Sequence, residues 1–104
     1  MALTFDVEFS PKRPEDIDLF SLDFSRRLVP GDSIAAATVT VDSTAAFPDN
    51  QLASMVIGAP VVAGTIVQQK IGGGIANNVY GARFSVTTAL GYHLEIVGEL
   101  SVRV

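Results

Sequence analysis

The chain has 104 residues, a formal charge of −4, 48% apolar and 17% charged side chains, and no cysteine. That length fits one domain with its own core, and the absence of cysteine excludes a disulfide scaffold, a thiolate zinc site and a cysteine nucleophile. Seven Lys and Arg against eleven acids exclude an autonomous nucleic-acid binder, which must neutralise phosphates with clustered cations.

Residues 3–10 alternate strictly, with Leu3, Phe5, Val7 and Phe9 on one side and Thr4, Asp6, Glu8 and Ser10 on the other. A period of two is the pattern of a half-buried strand. Asp6 and Glu8 also stand where a signal peptide would carry basic residues, and no apolar run is long enough to span a membrane, so the chain reads as soluble and made in the cytoplasm. Pro11–Lys12–Arg13–Pro14–Glu15–Asp16 is polar and contains two prolines, and it reads as a connection between an N-terminal arm, residues 1–11, and a main domain, residues 12–104.

Phe20, Leu22 and Phe24 share one face of the next strand; a helix from Pro14 to Phe24 is the competing assignment, disfavoured by the alternation. Pro30–Gly31–Asp32 predicts a turn, and Ser33–Val41 a strand, because four consecutive β-branched residues, Thr38 to Val41, fit a pleat better than a helix. Pro48–Asp49–Asn50 predicts another turn. Met55–Val62 and Gly64–Ile71 read as two strands, and Pro60 within the first marks an edge or a bulge. After Gly72–Gly73–Gly74, a flexible loop by composition, the clearest signal follows. Tyr80, Ala82, Phe84 and Val86 alternate with polar residues. Beyond the Gly91 turn, Tyr92, Leu94, Ile96, Gly98, Leu100, Val102 and Val104 do the same, which predicts a hairpin. About seven short strands without βαβ spacing predict an all-β, two-layer antiparallel sandwich preceded by an extended arm.

Three sequence elements carry a resemblance. They are the frame Lys12-x-Pro14-x-Asp16-x-Asp18-x-Phe20-x-x-Asp23-Phe24, the Gly31-Asp32-x-Ile34 element with the strand Ala37–Val41, and the pair Ile71–Gly72–Gly73 with the hairpin Tyr80–Thr88 and Gly91. Together they resemble the small immunoglobulin-like structural proteins of tailed phages and prophages, of the fibre-tail adaptor type. Phe24 stands where that family has Trp, and its Trp-Leu-Ser triplet is absent here. The resemblance implies an immunoglobulin-like sandwich over residues 12–104 and a virion protein that is no enzyme. It also implies an adaptor role in the neck or tail, with other virion proteins as partners and no cofactor. A capsid decoration protein is an alternative in the same class, and a small carbohydrate-binding sandwich module one from another class. The second alternative lacks Trp and has only two Tyr, both assigned to the apolar side of the hairpin.

Candidate sites divide unevenly. His93, the single histidine, falls on the polar face of the last strand beside Glu95 and reads as incidental, with no partner held in a cleft. Nine of the eleven acids lie in the first half of the chain, but Asp16, Asp18, Asp23 and Asp32 match no EF-hand spacing and read as turn residues, so no metal is expected. Lys70–Ile75 lacks the Gly-Lys-Ser/Thr ending of a phosphate loop. Partner binding is assigned instead to Leu3, Phe5, Val7 and Phe9 of the arm and to Gly72, Gly73 and Gly74. The arm can pack on its own domain as a first strand or add to a neighbour's sheet, and both readings stand. A mean hydropathy of +0.39 with few charges favours a chain covered by its neighbours, hence a homo-oligomer.

Overall fold

Alternating side chains build seven strands, which the computed structural model describes for residues 5–43 and 52–103. They are β1 (Val7–Glu8), β2 (Asp18–Asp23), β3 (Ile34–Ser43), β4 (Val56–Ala63), β5 (Ile66–Ile71), β6 (Val79–Thr88) and β7 (His93–Ser101), with a 3-10 turn at Leu52–Met55 before β4. One sheet has the order β1-β7-β6-β3 and the other β2-β5-β4. The order β7-β6-β3 facing β2-β5-β4 corresponds to the CFG and BED strands of an immunoglobulin sandwich. Every pairing is antiparallel except that of β1 with β7, which is parallel, with Val7 opposite Gly98.

The core is the set of side chains that the alternation places inward. Phe20 and Leu22 of β2 and the following Phe24 are buried, as are Val39 and Val41 of β3, so the strand assignment prevails over the helix at Pro14–Phe24. In the hairpin, Tyr80, Ala82, Phe84 and Val86 stand opposite Leu100, Gly98, Ile96 and Leu94 on one face, in the predicted register. Tyr92 departs from its assignment. It lies in the turn before β7 and is 52% exposed, so only Tyr80 is on the apolar side.

Pro60 lies in both of the contexts expected of it. β4 is an edge strand, and its ladder to β5 jumps from Ile57–Lys70 to Val61–Gln68, leaving Gly58, Ala59 and Pro60 opposite the single residue Gln69. The fully buried Gln69 repairs the gap, because its Nε2 donates to the carbonyls of Ile57 at 3.0 Å and Gly58 at 3.1 Å. Carbonyls left unpaired at this partly buried bulge would lose hydrogen bonds at a cost that rises with their burial, which explains a buried amide at Gln69. The turn expected at Pro48–Asn50 and the arm residue Leu3 lie outside the described residues.

Candidate partner-binding surface

The arm begins as an ordinary sheet edge. The Asp6 N–H donates to the Val97 carbonyl at 2.7 Å, Phe9 N–H to Glu99 at 2.9 Å, and Lys12 N–H to Ser101 at 3.1 Å. Among the described residues its regular strand covers Val7–Glu8, where the alternation over residues 3–10 predicts a longer one. Val7 is exposed, Phe5 is half-buried, and Phe9 turns into the gap between the sheets. There the Phe9 ring meets Phe20 edge-on with centroids 5.1 Å apart and Phe84 at 6.0 Å. Gly98 makes room for it: a Cβ on that residue would stand 2.8 Å from both Cδ2 and Cζ of the Phe9 ring.

Lys12, which opens the family frame within a polar connection, is only 2% exposed. Its ammonium donates to the carbonyls of Arg13 and Gly73, each at 2.6 Å. Burial lowers its pKa, and the carboxylates of Asp16, Asp18 and Glu15 work in the opposite direction. The bond to Gly73 ties the residue that follows the arm to the glycine loop, whereas the assigned residues Phe5, Val7 and Phe9 lie further back along β7, with Val7 opposite Gly98.

The glycine loop is pinned, which corrects its reading as a flexible segment. Gly72 is buried and donates to the Met55 carbonyl at 2.9 Å, and a Cβ there would lie 2.9 Å from side-chain atoms of both Ile17 and Ile57. Gly74 has φ +93° and approaches Val102 and Met55 so closely that a Cβ would stand 2.8 Å from Val102 Cγ2. Beyond it, the buried Tyr80 hydroxyl accepts the Ile75 N–H at 2.8 Å. An upstream backbone bond to a tyrosine at the start of this strand is the tyrosine corner of immunoglobulin domains. These glycines therefore serve close approach and turning. What remains outward on this side is Gly73 with the exposed Ile17, Leu19 and Ile75.

The acids are used locally. Asp23 accepts the Ser25 N–H at 2.9 Å and the Thr65 hydroxyl at 2.8 Å, and these bonds lower its pKa. Asp32 links two loops by accepting the N–H groups of Ser33 at 2.8 Å and Leu90 at 3.0 Å. Desolvation pushes its pKa up, but the Thr88 hydroxyl and the N–H groups of Ser33, Leu90 and Ala89 outweigh it and hold the carboxyl below its ordinary value. Glu95 pairs with Arg83 at 2.9 Å, and His93 is exposed. Among the described residues no three His, Cys, Asp or Glu gather as a metal site, and no helix is long and apolar enough to cross a membrane.

Sequence reasoning missed Lys12, Gln69 and Gly98 as working residues. For Gly98 a signal existed: a glycine on the apolar face of a long strand marks a close approach of another group.

No curated protein matches the chain. Residues 12–100 match the family model described as podophage GP4 fiber-tail adaptor protein gp77, a span that runs from the buried lysine through nearly all of β7, and the chain belongs to that family of phage structural adaptors.

Proposed function

We propose that this protein is a non-enzymatic adaptor in the neck or tail of a phage virion, joining tail and fibre components as a homo-oligomer. The observation that carries the reading is the family match over residues 12–100, which includes β2 to β6 and most of β7. The arm residues Phe5 and Val7 and the outward Gly73 contribute to its contact surface, while Phe9, Gly72 and Gly74 hold the fold beneath it. Support comes from Lys12, which ties the chain after the arm to the outward Gly73, and from the exposed apolar side chains of Ile17, Leu19 and Ile75. Rigid placement suits a joint, since an ordered surface loses little freedom when it docks. The partners are virion proteins; neither nucleic acid nor membrane is required.

Electron cryo-microscopy of the virion tests this. Density for the sandwich at the tail joint, touching tail and fibre proteins in several symmetry-related copies, is the expected result. Copies spread over the head lattice would establish the decoration alternative instead, and a monomer absent from the particle would overturn both.

A further inference from the structure

The two sheets present different faces to water. Outward positions of β3, β6 and β7 are polar: Thr38, Thr40 and Ser85 lie there, and Arg83 is paired with Asp42 and Glu95. On the other sheet the alternate residues Phe20, Leu22, Val67 and Gln69 are buried, so the register sets the row Leu19–Lys70–Ile57 at one end of the outward face and the row Asp23–Ile66–Ala63 at the other. Val61 lies between these rows, and Ile17 extends the face beyond β2. Ile17 and Ile57 close over Gly72, where side-chain atoms of both would stand 2.9 Å from a Cβ. Ile17 is 61% exposed, Leu19 56% and Val61 57%. Aliphatic side chains grouped in this way on an outer face mark a contact surface. We propose that the outer face of β2-β5-β4 packs on the same face of a second copy, with the strands of the two copies antiparallel.

Charge selects the occupant and its orientation. Within the three strands this face carries one cation, Lys70, and one anion, Asp23, at opposite ends. A two-fold axis running across the strands lays the Lys70 row of each copy over the Asp23 row of the other, so the face is complementary to itself and two ammonium–carboxylate pairs form. An axis along the strands lays like rows together and brings Lys70 toward Lys70. Asp23 accepts bonds from Ser25 and Thr65 within its own chain, and a carboxylate has room for a further donor. The rim favours neither orientation, because both signs stand at each end: Arg13 with Glu15 and Asp16 near Ile17, and Arg26 beside Asp23. Asp18 belongs to the opposite face of β2, with Phe20.

Area sets the strength. Three strands about 4.8 Å apart, with outward residues about 7 Å apart along each, give a face of roughly 15 by 25 Å, which is less than the roughly 800 Å² per partner of a stable complex. The pair is therefore weak in solution and gains strength where other virion contacts hold copies close together.

This contact rests on the homo-oligomer in the reading above, and its test uses purified full-length protein without virions, so the two can fail separately. Sedimentation and amide NMR shifts would be followed as protein concentration rises to about 1 mM, the range where weak pairs form. A reversible dimer is expected, with shifts centred on residues 17–21, 57–61 and 66–70. Leu19→Asp, an exposed substitution, should abolish it, and Lys70→Asp should weaken it about tenfold, as two exposed attractions turned to repulsions imply. Because the chain has no cysteine, a nitroxide on Ala63→Cys can report the orientation. Mixed with isotope-labelled wild type, it should broaden the partner's residues 57 and 70. A monomer at every concentration, shifts centred on the other sheet, association unchanged in either variant, or broadening at residues 23 and 66 instead would each overturn the proposal.

Discussion

Phe9 covers the bare Cα of Gly98, and the missing Cβ is what lets the aromatic ring reach both Phe20 and Phe84. The arm's attachment therefore depends on a side chain in one strand and its absence in another. Gly98→Ala should displace the ring and destabilise the fold by roughly 1–3 kcal/mol, the usual cost of overpacking. Native-state hydrogen exchange should show the loss concentrated at the Phe9 and Lys12 amides, which bond to β7. Unchanged protection at those two sites would mean that the ring is not what holds the arm.

Lys12→Met keeps most of the buried stem and removes the ammonium that two carbonyls share. Its burial opposes charge, but hydrogen bonds to a charged group contribute about 1.5–3 kcal/mol, so a net loss of about 1–2 kcal/mol is expected. Denaturant melts would measure it. The Gly73 resonance should shift while those of the Asp32 loop stay in place.

Gln69→Leu tests the bulge. Leucine removes the amide that bonds the Ile57 and Gly58 carbonyls, and a loss of roughly 0.5–1.5 kcal/mol should follow. A neutral or stabilising outcome in thermal unfolding would show that water replaces the amide there.

Acid should weaken the far end of the sandwich first. Asp23 and Asp32 both have folded-state pKa values below the ordinary 3.8. Stability from a depressed carboxyl is present above its unfolded pKa and is lost as pH falls through the folded value. Denaturant melts across that acid range should therefore show the wild type losing more stability than Asp32→Asn. At neutral pH the wild type should be the more stable of the two, since Asn accepts the Ser33 and Leu90 bonds without the charge. Parallel pH profiles would exclude Asp32 as a contributor.

The hairpin and the inward face of β2 were legible because burial on one side of a pleated sheet leaves a period of two in the residues themselves. Tyr92 broke that pattern for a local reason: the turn at Gly91 ends the ladder before it, so its parity carried no information about burial. The glycine run was legible as glycine and misread in purpose, since flexibility and close approach demand the same residue. Only the distances to Ile17, Ile57 and Val102 distinguish them.

By itself the sequence determined an all-β domain, the inward faces of its main strands, the absence of cysteine chemistry and the motifs shared with an adaptor family. Each of these depends on neighbours along the chain or on residue type. The tertiary structure decided where the arm lies, why Lys12 is buried, how Gln69 closes a bulge and which outer face stays apolar. Those depend on residues far apart in sequence, such as Lys12 and Gly73 or Phe9 and Gly98, whose meeting no local period encodes.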